Sequence, residues 1–326
     1  MKNTQVAVIG VGSLGQHHAR NYREHPDCEL VAVVDTDEGR GGKIAKANQT
    51  ELVTDYRELF DRVDAVSVAV PTIDHYRIAK ELLDAGIHVL VEKPITKTVE
   101  EAQDLVERAQ SRDLILQVGH IERFNAPIIK MREIVSRPVF IEAHRLGPFA
   151  ARVQDIGVVM DLMIHDLDII LELVASPVTS IEAVGVSVFT TYEDIANARL
   201  HFESGCIANI TASRVSPKKQ RKIRIFQEDG YISIDCAKPS MEFFQKAPVK
   251  RPKPGEMAEE IVRKRFRLKR EEPLKVELAH FLNCVQLDQQ PQITGEKARD
   301  ALQLAIEITR RIRNTGHFKK ETPSEA

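Results

Sequence analysis

Tryptophan is absent from the chain, cysteine is scarce, and neither sign of charge prevails. The missing tryptophan excludes nothing. Cys28, Cys206, Cys236 and Cys284 lie far apart, so the C-x-x-C spacing of zinc and redox sites is missing and a reducing compartment suits the chain. His144 and His165 lack further ligands at metal-binding spacing, so no metal is expected. No apolar run approaches the ~20 residues that a bilayer-spanning helix needs. With 46 Lys and Arg against 48 Asp and Glu, the net charge is −2, which argues against nucleic acid or a membrane surface as a partner. No internal repeat or low-complexity tract occurs. The start, Met1-Lys-Asn-Thr-Gln5, runs straight into a strand and leaves no room for a secretory signal. The cytoplasm is the expected location.

What is present is a chain of 326 residues, 43% hydrophobic and 29% charged. That is the composition of a soluble globular protein with length for two domains, and the pattern changes near residue 120. In residues 1–120, Val6-Ala-Val-Ile-Gly10 reads as a short buried strand. It leads into Gly10-Val11-Gly12-Ser13-Leu14-Gly15, a Gly-x-Gly-x-x-Gly turn that opens a helix carrying His17 and His18. Glycines between a strand and a helix let the backbone approach a pyrophosphate. The next apolar run ends at Asp35, 20 residues after Gly15, where an acid binds the adenosine ribose of a dinucleotide. Asp35 repels a 2′-phosphate and Thr36-Asp37 offers no arginine to receive one, so NAD is the expected cofactor. Arg40 is near enough to keep NADP as the second candidate.

Strands and helices then alternate. Residues 64–70 read as a strand closed by Pro71, and 73–85 as an amphipathic helix. Residues 87–91 form a strand ending in Glu92-Lys93-Pro94, and Thr98 caps a helix with Glu101 as its capping-box partner. Residues 114–118 give a last strand, stopping at Gly119-His120. Apolar runs separated by helices specify a parallel, doubly wound α/β sheet of the Rossmann type. Ligands bind beyond the carboxyl ends of such strands, so Val70-Pro71-Thr72, Glu92-Lys93 and Gly119-His120 are expected to border one crevice. The proline behind Lys93 aims that side chain; the competing reading is a rim pair with Glu92.

From 121 to 326 the alternation breaks. A helix is expected at 127–136 and strands at 139–145, 180–189, 196–202, 206–212, 222–227, 231–235 and 241–244, with helices at 274–289 and 296–314. This is an α+β domain with a large open, mainly antiparallel sheet, one face covered by helices. The other face is expected to pack on a second copy, giving a homodimer or homotetramer. The basic run 263–270 reads as a solvated edge segment rather than a contact for an anionic partner.

Before those strands comes Asp161-Leu-Met-Ile-His165-Asp-Leu-Asp168. At ~100° per helical residue, Asp161, His165 and Asp168 fall within roughly 60° of one another. The stripe reads either as a catalytic imidazole with its carboxylates or as a core histidine held by an acid. Arg145 and Arg152 are candidates for a substrate diphosphate, or else members of ion pairs.

A Rossmann domain with Glu92-Lys93-Pro94 at a strand end, then Asp161-x-x-x-His165-x-x-Asp168 on a helix, then an antiparallel sheet, resembles the Gfo/Idh/MocA oxidoreductases. The resemblance covers essentially the whole chain. It implies NAD(P)-dependent oxidation or reduction of a sugar or cyclitol hydroxyl, with Lys93, Asp161 and His165 as the catalytic group. It further implies that Glu92 lies near the nicotinamide ribose and that Val70, Pro71, Thr72 and His75 form a cofactor-contacting loop. Gly119-His-Ile-Glu-Arg-Phe-Asn-Ala-Pro127, Arg145-x-Gly-Pro and Arg152-x-x-Asp155-x-Gly157 look like the nucleotide-sugar dehydrogenases of that family. That likeness implies a UDP-sugar such as UDP-N-acetylglucosamine as substrate. His120 is then a contact for cofactor and substrate, and Arg123, Asn125, Arg145 and Arg152 are substrate contacts. The chain departs from the family pattern at Ile156-Gly-Val-Val159, which replaces a glycine run. His165 or Lys93 could serve as the base. Two other readings stay open: a family member acting on a free sugar, cyclitol or dihydrodiol, and a non-catalytic dinucleotide-sensing binder.

Overall fold

A computed structural model describes residues 3–149, 156–238, 240–248 and 259–314. They divide into two units: Met1–Phe124 with Glu271–Gln303, and Asn125–Arg270 with Leu304–Ala326. Among the described residues no helix is long and apolar enough to cross a membrane.

The first unit holds β1 (Thr4–Ile9), β2 (Cys28–Val34), β3 (Glu51–Val53), β4 (Ala65–Val68), β5 (His88–Glu92) and β6 (Leu116–Gly119). They pair in parallel in the order β3-β2-β1-β4-β5-β6. Val6 to Ile9 are all buried; since neighbouring strand residues point to opposite faces, both faces of the sheet are covered. Helices α1 (Gly15–Glu24), α2 (Glu38–Asn48), α3 (Thr72–Asp84) and α4 (Val99–Ser111) join the strands, and the expected Thr98–Glu101 capping box starts α4. The strand order reverses between β1 and β4, the switch point at which such sheets take ligands.

The division differs from a cut at residue 120. Helix α7 (Pro273–Leu287) belongs to the first unit, where Leu274, Leu278, Phe281 and Leu282 share a core with Val6, Val8, Tyr22, Val33 and Leu90. The i, i+4, i+7, i+8 spacing of those four residues specifies an apolar helix face but not the sheet that receives it.

In the second unit, α5 (Ala126–Arg132) precedes β7 (Pro138–Leu146), and α6 (Ile164–Val174) precedes β8 (Val178–Val186), β9 (Ile195–Phe202), β10 (Ile207–Ser213), β11 (Gln220–Gln227), β12 (Gly230–Asp235), β13 (Ser240–Pro248) and β14 (Glu259–Arg267). The sheet order is β14-β13-β12-β11-β7-β10-β9-β8. Only β7 and β10 run parallel; the other pairs are antiparallel. Ile141, Ala143, Ala208, Ile210, Ile223, Ile225, Ile232 and Ile234 are buried on one face, alternating with half-buried or exposed residues as period-two patterning requires. On the opposite face Phe140, Phe226, Tyr231 and Phe244 pair across four neighbouring strands, their rings 4.8–5.7 Å apart. The basic run supplies β14, a strand missed in the sequence because charges interrupt its alternation. It is the sheet's edge, with Arg263 paired to Glu242. Helix α8 (Gly295–Asn314) ends the described chain.

Phe281→Ala is expected to destabilise the first unit by about 3–5 kcal/mol, the usual cost of emptying a buried aromatic site. Urea unfolding followed by circular dichroism measures it; a change below about 1 kcal/mol would remove α7 from the core of that unit.

Candidate active site

At the end of β1 the three glycines have three different reasons to be glycine. Gly10 has φ +82°, a conformation side chains resist. A Cβ on Gly15 would collide with the carbonyl oxygen of Gly10, whereas one on Gly12 would meet nothing within 4 Å. The first and third close the turn and bring α1 against it, and the second leaves the backbone open to a ligand. These residues fit the pyrophosphate of a dinucleotide, with Ser13 and Leu14 exposed on the same turn. Asp35 follows β2, buried; its carboxylate accepts from the Val11 amide at 3.1 Å and the Asp37 amide at 2.9 Å. Arg40 forks onto it, Nε to Oδ2 at 2.9 Å and Nη2 to Oδ1 at 2.6 Å. Burial pushes the Asp35 carboxyl up, but the Arg40 fork and the two amides outweigh it and leave the pKa below its ordinary value. Thr36 beside it is exposed.

Val70 and Pro71 follow β4, and Thr72 opens α3. Lys93 follows β5, half-buried, with the Lys93–Pro94 peptide cis. Its two neighbours are held by buried histidines. His18, on the inward face of α1, donates from Nε2 to Glu92 Oε1 at 2.9 Å. The Glu92 carboxyl fills the notch at Gly119, where an added Cβ would lie 2.8 Å from it. His75 places Nδ1 at 2.9 Å from the Pro94 carbonyl and Nε2 at 2.9 Å from that of Val70. Carbonyls only accept, so a neutral ring donates to one of the two. Burial lowers the His75 pKa against the pull of both carbonyls. His75 is 1% exposed, and its ring braces the backbone of two loops. His120 and Arg123 are also buried, Arg123 within a single 3-10 turn after β6.

In the second unit, the stretch read as one regular helix is not regular. A π turn spans Val159–Met163, and the amide of Ile164 donates to the Val159 carbonyl five residues back. Asp161 lies in that turn and His165 in the first turn of α6; both are half-buried, whereas Asp168 is buried. The wider turn shifts the phase of Asp161 relative to His165 and Asp168, which stand three residues apart in the regular helix α6. Asp166, not marked in the sequence, forks with Arg145, Oδ2 to Nε at 2.9 Å and Oδ1 to Nη2 at 2.8 Å. Arg145 is 3% exposed. The fork ties α6 to β7, the ion-pair alternative for this residue. Asn125 donates to the Cys236 carbonyl at 2.9 Å, a brace between α5 and the end of β12. Arg152 lies outside the described residues.

The start of the π turn is held by groups the sequence did not single out. The Val158 amide donates to the Glu193 carbonyl at 2.9 Å and the Val159 amide to Glu193 Oε1 at 3.3 Å. A Cβ on Gly157 would collide with that carboxyl. Burial raises the Glu193 pKa. Next to it, Asp194 accepts from Arg214 Nε at 2.7 Å, while Arg214 Nη1 donates to the Ile156 carbonyl at 2.8 Å. Burial pushes the Asp194 carboxyl up, but the Thr190 and Phe189 amides and Arg214 bring it down to about 2. An acid pair in a loop is too common to mark such a cluster in advance. Among the described residues no group of three His, Cys, Asp or Glu is placed to hold a metal.

Gly157→Ala is expected to destabilise by about 1–3 kcal/mol through overpacking. In a double-mutant cycle with Glu193→Ala its cost should shrink, a coupling of about 0.5–3 kcal/mol. Additive effects in thermal unfolding would show that the carboxyl does not fill that space.

Comparison with known proteins places both parts of the chain in one family. Residues 4–120 match the model of an oxidoreductase family with an NAD-binding Rossmann fold, and residues 136–233 match the Gfo/Idh/MocA C-terminal domain. UDP-N-acetylglucosamine 3-dehydrogenase of Acidithiobacillus ferrooxidans is 35% identical over 94% of this chain and 97% of its own. A solved structure of that enzyme superposes with a TM-score of 0.89 at 33% identity, covering 96% of this chain and 99% of the other. The scyllo-inositol 2-dehydrogenase (NAD(+)) of Bacillus subtilis is 27% identical over 94% of both chains. The chain belongs to the Gfo/Idh/MocA family of oxidoreductases.

Proposed function

We propose that this oxidoreductase converts a secondary hydroxyl of a UDP-sugar, the 3-hydroxyl of UDP-N-acetylglucosamine or a close relative, to a ketone with NAD. The observation that carries the reading is similarity to a UDP-N-acetylglucosamine 3-dehydrogenase along nearly the full length of both chains. The inositol dehydrogenase relative stands further off in identity, so a cyclitol is the second candidate.

Oxidising a secondary alcohol takes a hydride from carbon and a proton from oxygen. A dinucleotide held by the residues named below would supply the hydride acceptor. His165 takes the proton, with Asp161 orienting the imidazole and stabilising its charged form. The Lys93 ammonium donates a hydrogen bond to the same oxygen and steadies the developing alkoxide. The Gly10–Gly15 turn, Asp35, Val70, Pro71, Thr72 and Glu92 seat the dinucleotide. The aromatic row Phe140, Phe226, Tyr231 and Phe244 gives the open sheet face to a second copy of the chain, making a cytoplasmic homo-oligomer.

Lys93→Met is expected to lower kcat by about 10²- to 10⁴-fold, the usual worth of one proton-handling group. Nicotinamide absorbance with UDP-N-acetylglucosamine as substrate reads it; turnover at the parental rate would end the assignment. UDP alone should raise the melting temperature, since a ligand at 100 times its Kd adds about 2.7 kcal/mol. A protein that oxidises inositol or glucose, ignores UDP and leaves UDP-N-acetylglucosamine unchanged is a polyol dehydrogenase instead. Tyr231→Glu should shift the assembly towards monomer in light scattering; an unchanged mass would place the interface elsewhere.

A further inference from the structure

The acid expected to bind the adenosine ribose is already fully engaged by its own chain. A carboxylate offers about four acceptor directions. On Asp35 the Asp37 amide and Arg40 Nη2 take Oδ1, and the Val11 amide and Arg40 Nε take Oδ2. Of these four donors only the guanidinium sits on a side chain that can leave. The Arg40 side chain is 48% exposed and that of Asp35 is 3% exposed. Arg40 stands on the first turn of α2, where its amide donates to the side chain of the N-cap residue Asp37, and Asp37 Oδ2 lies 3.7 Å from its Nη1.

Two consequences follow for a ligand there. A ribose 2′-hydroxyl can donate to Asp35 only by displacing one N–H of Arg40. A 2′-phosphate meets an acid whose charge is offset by a guanidinium in contact with it, and that guanidinium needs only to turn outward to form the bidentate pair arginine makes with phosphate. The repulsion by which an aspartate alone rejects NADP is thereby largely cancelled.

We infer that Arg40 is the residue that sets cofactor choice, and that with it in place the site admits both NAD and NADP, the Asp35–Arg40 fork opening in a different way for each. This deepens the dinucleotide reading and rests on it. In the NAD-bound arrangement Asp35 keeps the ribose and one Arg40 contact is lost. In the NADP-bound arrangement Arg40 leaves Asp35 for the phosphate, and the Val11 and Asp37 amides continue to hold the carboxylate.

The test is calorimetric binding of ADP-ribose and 2′-phospho-ADP-ribose, fragments that bind without turnover. The parent protein should bind both with Kd values within about 10-fold of each other. Arg40→Met should weaken 2′-phospho-ADP-ribose by about 10- to 100-fold, the worth of a charge-assisted pair, and leave ADP-ribose unchanged or tighter. Arg40→Lys, which keeps the charge and loses the fork, should fall between; circular dichroism checks that each variant is folded. The inference is overturned if the parent binds ADP-ribose and rejects the phosphorylated fragment, or if Arg40→Met weakens both equally. If the folded parent binds neither fragment, the dinucleotide reading fails as well, an outcome distinct from the other two.

Discussion

The close approach of α1 to the end of β1 is the constraint on which the first unit depends. It is possible only because the third glycine of the turn has no side chain, and it fixes what the rest of that helix can reach. Gly15, His18 and Tyr22 stand at i, i+3 and i+7 on the inward face. Gly15 meets the turn after β1, His18 holds Glu92 at the end of β5, and the Tyr22 hydroxyl lies 2.7 Å from that of Ser67 on β4. One helix face therefore ties together the ends of three adjacent strands, and Lys93 inherits its position from that arrangement. His75 completes it from the other side by holding the backbone just after the lysine.

The second unit meets the same need by electrostatics. Buried acids cost several kcal/mol unless partnered; here Asp166 takes Arg145, and Asp194 takes Arg214 and backbone amides. Glu193 spends its carboxyl on the helix start. These pairs fix where the π turn begins, and hence where Asp161 and His165 lie along the chain.

What could be read in the sequence was local. The glycine turn, the acid after β2, the capping box and the alternation of strands carry their own geometry, so the Rossmann unit and most of the antiparallel sheet were legible. Features that depend on a partner far away in sequence were not. Nothing in α7 says which core receives it. A π turn adds one residue to a hydrogen-bonded ring and leaves no mark in composition. The fork of Arg145 on Asp166 was not legible because arginine makes the same fork with an internal aspartate as with a phosphate. The bracing of two loops by His75 was hidden too, because the two carbonyls against its ring belong to residues whose nearness only the fold reveals.

The return of α7 to the first unit also bears on how the protein is made. Leu274, Leu278, Phe281 and Leu282 complete a core begun by Val6 and Val8, so the nucleotide-binding half cannot close while its own residues are the only ones synthesised. The ribosome must deliver the chain through α7, including all of the intervening sheet, before the earliest strands lose their last contact with water. An amino-terminal fragment ending near residue 124 would leave that side of the sheet bare and prone to associate.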